Sequence, residues 1–360
     1  MRFRRPVLNT GPSTLVGPAG RVSTERRARD AGTARQISAG VILAALLALF
    51  FAVALSVGDF PIPVADVVPA IFGFGNPDSH FIVQTLRLPR ALSAVFVGGA
   101  FGLSGAIFQG LARNPLASPD IMGITSGAAA TAVFLIVILE AGGLVVSLGA
   151  FAGALATAAV IYAVAYRKGI SSYRLVLVGI GIAAVLSSVT SYLLTRAEIW
   201  DTQRATVWLT GSLNGRGWEH VRPVGLAMLV LLPWVMALAR PLRAMQLGDD
   251  AARGLGVAVE SQRRYLILAA VGLAAVATAS AGPVAFVAFV APAIARRLTR
   301  SSLTLLPSAL AGALLLLVSD LAARKSFAPV ELPAGIVTGS MGAPYLLWLL
   351  ARGNRLGRAG

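Results

Sequence analysis

The stretch that decides the fold runs from Leu86 to Gly127 and reads LRLPRALSAVFVGGAFGLSGAIFQGLARNPLASPDIMGITSG. Its central block, Ala91–Leu111, contains no Asp, Glu, Lys or Arg. The block has roughly the 20 residues that an α-helix needs to cross a hydrocarbon core of about 30 Å. Because hydrocarbon offers no hydrogen-bond partner to backbone N–H and C=O groups, a block of this kind must be helical. It therefore predicts a transmembrane helix.

Apolar blocks of the same kind recur on both sides of this stretch and predict an all-α polytopic membrane protein of about ten transmembrane helices. The other nine blocks are Ile37–Val57, Ile121–Leu139, Leu144–Tyr166, Leu175–Leu194, Val224–Ala239, Tyr265–Ala281, Val284–Ala295, Leu303–Leu321 and Gly335–Leu350. The seventh and eighth are divided only by Gly282-Pro283. Composition agrees, since 56% of the residues are hydrophobic and 13% are charged, against about 25% charged in soluble domains.

The distribution of positive charge predicts the orientation of these helices. In a ten-span arrangement, 23 of the 31 Lys and Arg residues fall on the side of the N-terminus. Cytoplasmic loops carry such an excess, so both termini are expected in the cytoplasm. Residues 1–35, rich in Arg, Gly, Pro and Ser, are expected to form a disordered basic tail. Residues 36–352 form the predicted transmembrane domain, and 353–360 form a second basic cytoplasmic tail.

Several classes of function are excluded or disfavoured by what the sequence lacks. The chain has a net charge of +16, but its basic residues are distributed between apolar blocks. This disfavours a nucleic-acid binder, which carries its basic residues on one soluble face. The chain has no cysteine, and His80 and His220 are far apart, so no metal site is expected. An intramembrane metalloprotease would need a cluster such as H-E-x-x-H, which two distant histidines cannot form.

The energy source of any transport is also constrained. The chain contains no G-x-x-x-x-G-K-[ST] phosphate loop. We expect the spans to lack buried Asp, Glu, Lys and Arg, the residues that mark an ion-coupled pathway. A transporter of this kind takes its energy from another subunit, which leaves an ion-coupled secondary transporter as the remote alternative. The chain itself is not expected to be an enzyme or to bind a cofactor.

Small residues four positions apart indicate close helix packing within a membrane bundle. The pairs are Gly98 and Gly102, Gly149 and Gly153, and Gly335 and Gly339. Such pairs let two backbones approach closely. They identify a polytopic bundle and carry no information about a substrate.

Two polar features flank the Ala91–Leu111 block. Arg87 and Arg90 lie on the predicted outer side, against the positive-inside bias; they either anchor a helix end by snorkelling or bind an acidic external partner. On the cytoplasmic side, Arg113-Asn114-Pro115 is expected to break the chain. Ser118-Pro119-Asp120 is then expected to start a new helix, with Ser as N-cap and Pro at the first position.

The longest polar segment between spans lies between Arg240 and Arg264 and contains LGDDAARGLGV, residues 247–257. Asp249 to Arg253 can form one or two helical turns, which Gly254 and Gly256 then terminate. A helix this short is marginal in water unless it packs on something. It is either a loop packed on its own bundle or a coupling helix held in a groove of a cytoplasmic protein.

Four ordered motifs resemble the FecCD family, the permeases of ABC importers for ferric siderophores, haem and cobalamin. They are RLPRALSAVFVGGAFGLSGAIFQGLARNPLASPDIMG (87–123), LGDDAARGLGV (247–257), AGPVAFVAFVAPAIARRL (281–298) and ELPAGIVTGSMGAPYLLWLL (331–350). The resemblance extends from about Ile37 to the C-terminus. It implies a ten-helix permease subunit in a bacterial cytoplasmic membrane, working with ABC ATPase subunits that use ATP, an extracytoplasmic solute-binding protein and a second homologous permease.

The resemblance also implies roles for particular residues. Those that would dock glutamates of the binding protein are Arg87, Arg90 and Arg324. Those that would contact the ATPase are Leu247, Gly248, Asp249, Asp250, Arg253, Gly254 and Gly256. Those that would form the cytoplasmic gate are Asn114, Leu116, Ser172 and Tyr173. Two positions depart from the family pattern, since Ala293 follows Pro292 where His is frequent, and Tyr173 stands where some relatives have a smaller polar residue.

The segment WLTGSLNGRGW, residues 208–218, is most similar to siderophore-type members of the family. The resemblance therefore favours a ferric siderophore as cargo, with haem and cobalamin as alternatives. Siderophore-type relatives often pair two different permeases, so a heterodimer is expected and a homodimer is the alternative.

Overall fold

The computed structural model describes residues 18–58, 60–74, 76–166, 172–326 and 331–356. In these ranges the regular structure is helical, with no strand. The α-helices are Pro18–Ser56 (α1), Val64–Ile71 (α2), Pro77–Phe81 (α3), Leu88–Ala112 (α4), Ile124–Ile138 (α5), Gly143–Ala165 (α6), Ser172–Arg196 (α7), Ile199–Thr210 (α8), Trp218–Ala237 (α9), Ala239–Met245 (α10), Asp249–Gly254 (α11), Val259–Ala281 (α12), Val287–Thr299 (α13), Leu305–Lys325 (α14) and Ala334–Leu356 (α15). A π-helical segment, Ile82–Arg87, joins α3 to α4.

Each of the ten predicted apolar blocks falls on a helix of its own, and these are α1, α4, α5, α6, α7, α9, α12, α13, α14 and α15. The predicted boundary between the seventh and eighth blocks is correct, because α12 ends at Ala281 and α13 begins at Val287. Within the described ranges, seven helices are long and apolar enough to cross a membrane, and α5 is a shorter apolar helix. The all-helical, multi-span fold is thus confirmed, while ten spans with cytoplasmic termini stay predictions.

The N-terminal stretch differs from the expectation of a disordered tail. Helix α1 begins at Pro18, well inside residues 1–35. Arg, Ala, Glu and Gln, which are frequent between residues 24 and 36, are good helix formers. Extending an existing helix avoids the cost of nucleating a new one. Residues 1–17 and 357–360 lie outside the described residues, and the latter are half of the predicted C-terminal tail.

Helix α4 is the centre of the bundle. Of the most apolar 18-residue stretch in the segment Pro77–Ala112, 83% of the residues are buried, whereas the same share in α7 is 11%. A Cβ atom added to Gly98 or Gly102 would collide with the backbone of α14 at Gly312 and Ser308. The predicted close packing is therefore correct for this pair. At the third pair, Gly335 packs against the carbonyl of Thr210, whereas Gly339 has open space beside it.

The chain between α4 and α5 differs in part from the prediction. The expected break at Arg113-Asn114-Pro115 is correct, because α4 ends at Ala112 and Arg113 caps it in the left-handed conformation with φ 51°. Ser118 behaves as the predicted N-cap, since its Oγ accepts a hydrogen bond from the N–H of Ile121 at 3.3 Å. The turn that follows does not continue, because Gly123 has φ 78° and α5 begins only at Ile124. The helix start predicted at Pro119 is therefore wrong by about one turn.

The expectation that the spans lack buried charged residues is also wrong. Asp320, inside the predicted block Leu303–Leu321, is 1% exposed. Arg263 lies two residues before the block Tyr265–Ala281 but within α12, and it is 3% exposed. Both lie near the ends of their helices and are held in ion pairs with neighbouring elements. Pairing offsets the cost of burying a charge, and only the three-dimensional structure supplies the partners.

Candidate functional site

A cavity of about 490 Å³ opens at the predicted outer end of the bundle. Its charged lining residues are Arg87, Arg90, Arg216, Arg324, Lys325 and Glu331. The structure thus brings together the three arginines that the resemblance assigned to docking. It adds Arg216, Lys325 and Glu331, which sequence reasoning did not single out; Arg216 and Lys325 are also positive charges on the side that carries few of them.

Arg87 is committed to the end of α1. Its Nη1 donates hydrogen bonds to the carbonyl oxygens of Leu55 and Ser56, at 2.8 and 2.9 Å, and its Nη2 donates to the carbonyl of Phe60. The side chain is buried. An arginine placed here satisfies the last carbonyl groups of a helix and is favoured by the helix dipole. Its role in docking stays a prediction.

Arg90 and Arg324 share the buried carboxylate of Asp320. Arg90 Nε and Nη2 both donate to Asp320, with a shortest distance of 3.0 Å, and Nη1 donates to Glu331 at 3.0 Å. Arg324 Nε lies 3.4 Å from the second oxygen of Asp320. This outer charge network, Arg90, Asp320, Arg324 and Glu331, ties α4 to α14 and to the residue three positions before α15. A docking carboxylate would have to compete with these internal ones.

Arg216, on the rim of the same cavity, is held in the loop before α9. Its guanidinium donates to the carbonyl of Ser212 at 3.2 Å and lies 2.9 Å from His220 Nε2. Burial lowers the pKa of Arg216, and the Glu219 carboxylate opposes that effect. The group still carries its charge at neutral pH, because an arginine guanidinium is not deprotonated in proteins.

At the opposite end, α11 matches the predicted one or two turns and ends where the glycines were expected to end it. Gly248, with φ 114°, and Gly256, with φ 82°, flank it in conformations that favour glycine. One face of α11 packs on the bundle, because Ala252 is fully buried. Leu247 and Leu255, at its two ends, are 72% and 67% exposed.

Two arginines of other elements hold α11 through Asp249. Arg113, the cap of α4, donates to Asp249 Oδ1 at 3.5 Å. Arg263, in α12, donates to Asp249 Oδ2 at 2.7 Å. We call Asp249, Arg113 and Arg263 the inner charge network. Asp250 has its side chain fully exposed and pairs with Arg253 inside α11 at 2.8 Å.

The predicted gate residues lie in two separate segments near this end. Asn114 Oδ1 accepts a hydrogen bond from the N–H of Leu116 at 2.9 Å, which stabilises the turn after α4. Tyr173 is 75% exposed at the start of α7. Ser172 begins that helix, and its side chain lies outside the described part of the chain. Their action as a gate stays a prediction.

A second cavity, of about 380 Å³, lies beside the loop between α4 and α5 and the loop between α12 and α13. Asp120 and Thr125 line it before and within α5, and Phe286 and Phe289 line it around the start of α13. Burial raises the pKa of the Asp120 carboxyl to about 6, while a hydrogen bond with Thr125 acts in the opposite direction.

The fold and these sites define a class: an integral membrane protein with a charged cavity at one end of its helical bundle and a short amphipathic helix at the other. The chain belongs to the FecCD transport family, whose model matches residues 45–352.

Relatives and a solved structure extend this assignment. The chain is 43% identical to the achromobactin transport system permease protein CbrC of Dickeya dadantii (strain 3937), over 87% of this chain and 91% of the relative. It is 40% identical to the ferric enterobactin transport system permease protein FepG of Escherichia coli (strain K12), over 83% and 91%. It also resembles a solved metal-chelate type ABC transporter in an inward-facing conformation, with TM-score 0.78, 26% identity, and coverage of 87% of this chain and 98% of that one.

Proposed function

We propose that this protein is the transmembrane permease subunit of an ABC importer that carries a ferric siderophore across the bacterial cytoplasmic membrane. The observation that carries the proposal is the near full-length similarity to permease proteins named for achromobactin and ferric enterobactin. Relatives named for iron(3+)-hydroxamate and Fe(3+)-citrate, both of Bacillus subtilis (strain 168), are 37% and 40% identical over similar lengths. Their common cargo class is an iron(3+) chelate.

The proposed partners follow from the two ends of the bundle. The outer cavity, lined by five cationic side chains and one acid, suits an acidic surface of a solute-binding protein. The exposed leucines at the ends of α11 suit an apolar groove on an ATPase subunit, which would bind and hydrolyse ATP because this sequence carries no phosphate loop of its own. A second homologous permease, in a heterodimer rather than a homodimer, would complete the pathway. The distribution of Lys and Arg supports a further part of the proposal, that both termini lie in the cytoplasm.

Uptake of radiolabelled cargo, with radioactive iron in the ferric chelates and in haem and radioactive cobalt in cobalamin, tests the proposal. A strain lacking the chain is compared with the same strain carrying it, using ferric enterobactin, ferric citrate and a ferric hydroxamate as separate probes, with haem and cobalamin as further arms. We expect the deletion to abolish uptake of at least one ferric siderophore and to leave haem and cobalamin uptake unchanged. Loss of only haem or only cobalamin uptake would overturn the assignment of the cargo.

Copurification tests the pairing of permeases. Two differently tagged copies of this chain are expressed together with the other importer subunits. We expect each tag to recover the second permease and not the other copy. An active complex of this permease and ATPase alone would show that the homodimer is correct.

A further inference from the structure

The inner charge network joins three pieces of the chain at one carboxylate. Asp249 begins α11, Arg113 ends α4 and Arg263 lies in the second turn of α12. Each oxygen of the carboxylate serves a different arginine, Oδ1 for Arg113 and Oδ2 for Arg263. A displacement of α11 therefore acts on two separate elements through a single side chain.

The two contacts differ in strength. Arg263 has a side chain only 4% exposed, and its contact with Asp249 is 2.7 Å long. Charge-assisted hydrogen bonds of this length are roughly twice as strong as neutral ones. Arg113 is 46% exposed and its contact is 3.5 Å long, so it resembles the surface ion pairs that contribute about 0–1 kcal/mol. The contact with Arg263 is therefore the stronger of the two, and the contact with Arg113 can break and form again at little cost.

The elements on the far side of each contact are a core helix and the segment that contains the predicted gate residues Asn114 and Leu116. Arg113 is the residue before Asn114, and its left-handed backbone sets the direction of the turn that contains Asn114 and Leu116. Helix α12 is a core helix, because 72% of the residues in its most apolar 18-residue stretch are buried. The exposed Asp250 lies on α11 beside Asp249 but pairs within that helix, so it transmits nothing directly to the bundle.

We propose that Asp249 is a positioning residue that passes movement of α11 to α12 through Arg263 and to the gate loop, residues 113–116, through Arg113. This inference rests on the proposed function, because it takes α11 as the element moved by an ATPase. The strong contact keeps α11 attached to the core in every state. The weak contact lets the gate loop change its position relative to α11 when the nucleotide state changes.

The absence of cysteine from the chain allows a direct measurement. Cysteines introduced at Ala251 and Pro115, both exposed, are spin-labelled in the purified permease before assembly with its ATPase, partner permease and binding protein in nanodiscs. The distance between the labels is measured without nucleotide and with ATP and vanadate. We expect a narrow distribution in each state, with different mean distances in the two states.

Asp249→Asn is the variant, and Glu260→Gln is its matched control. Glu260 also pairs with Arg263, at 3.5 Å, so the control removes the same charge from the same arginine and leaves Asp249 in place. With Asp249→Asn we expect the distribution to broaden in both states and ferric-chelate uptake per ATP hydrolysed to fall about tenfold, a typical size for coupling between two sites. Glu260→Gln should retain the narrow distributions and the uptake ratio.

A milder variant keeps the test decisive if Asp249→Asn is poorly inserted. Arg113→Gln removes only the exposed contact, and Arg204→Gln is its control, because Arg204 is 49% exposed and pairs with Asp201 on α8. We expect Arg113→Gln to broaden the distribution and Arg204→Gln to leave it unchanged. Equal results for each variant and its control would overturn the inference.

The outcomes separate this inference from the proposed function. If the unmodified importer takes up none of the ferric chelates but Asp249→Asn broadens the label distances, the cargo assignment fails and the role of Asp249 stands. If uptake is normal and Asp249→Asn behaves as Glu260→Gln does, the role of Asp249 fails and the cargo assignment stands.

Discussion

The outer and inner charge networks use the same chemistry at opposite ends of the bundle, yet they do different things. In the outer network, Asp320 is 1% exposed and receives a two-pronged contact from Arg90. In the inner network, Asp249 is 29% exposed and divides its oxygens between two arginines. The first joins two long core helices, and the second joins a six-residue helix to its surroundings. Because it is buried and joins two long helices, the outer network acts as a fixed clamp. Because it is more exposed and holds a short helix, the inner network acts as a movable joint.

The largest expected effect comes from removing the centre of the clamp. Asp320→Asn leaves Arg90 and Arg324 without their buried counter-charge, which typically costs about 3–5 kcal/mol. We expect a large loss of stability, measured by thermal or SDS-induced unfolding of the purified protein. Asp201→Asn, which breaks a partly exposed pair inside α8, serves as control and should cost at most about 1 kcal/mol. Similar losses for both variants would contradict the distinction between clamp and joint.

A smaller effect is expected when the charge is kept but the forked geometry is lost. Arg90→Lys cannot reach both oxygens of Asp320 and also Glu331, because an ammonium group is a single point charge. We expect a loss of about 2 kcal/mol, the typical value of a hydrogen bond to a charged group. The same unfolding assay applies. An unchanged stability would mean that charge alone, without geometry, holds α4 to α14.

Asp120 extends the comparison to a third carboxylate, which belongs to neither network. Burial, and not a neighbouring arginine, is the dominant influence on its pKa. Its pKa is raised from 3.8 to about 6, so folding favours the protonated form. The stability that this provides is present at acidic pH and is lost as pH rises through about 6. We expect unfolding measurements between pH 5 and 8 to show a loss of about 1–2 kcal/mol in the wild type.

The variant Asp120→Asn supplies the control for that measurement. Its side chain does not titrate, so this contribution to the pH dependence should disappear, while the rest of the profile should overlay that of the wild type. Identical profiles for the two proteins would show that Asp120 titrates outside this range.

The smallest effect is expected at the rim of the clamp. Glu331→Gln removes the charge of the more exposed partner of Arg90, while Asp320 stays in place. The side chain of Glu331 is 36% exposed. Exposed pairs contribute about 0–1 kcal/mol. Stability should therefore hardly change. A loss as large as that of Asp320→Asn would place the centre of the clamp at Glu331 instead.

Local patterns in the sequence predicted the transmembrane elements well. The length and apolar character of Ala91–Leu111 are enough to require a helix, because hydrocarbon leaves the backbone no other partner. Gly282-Pro283 marked a real interruption, and Gly256 marked the end of α11. The first helix after Pro115 was predicted too early, because one N-cap bond at Ser118 does not sustain a helix past the left-handed Gly123.

The candidate sites were predicted less completely. The resemblance selected Arg87, Arg90 and Arg324, and the structure places them around one cavity. It gave no indication that Arg87 is bonded to the end of α1. Arg263 was missed altogether, because a single arginine near the start of a long apolar helix looks like an ordinary cytoplasmic anchor in sequence.

The sequence by itself determined the class of protein, the succession of helices and the family, and it supplied candidate residues for docking, coupling and gating. These properties follow from hydropathy over one helix length and from short motifs, and both are local. Only the tertiary structure decided which charges are buried and paired. Asp320 meets Arg90 across 230 positions of the chain, and Asp249 meets Arg113 across 136. Contacts of that range depend on how the helices pack against each other, and for that reason the clamp and the joint become visible only when the bundle is assembled.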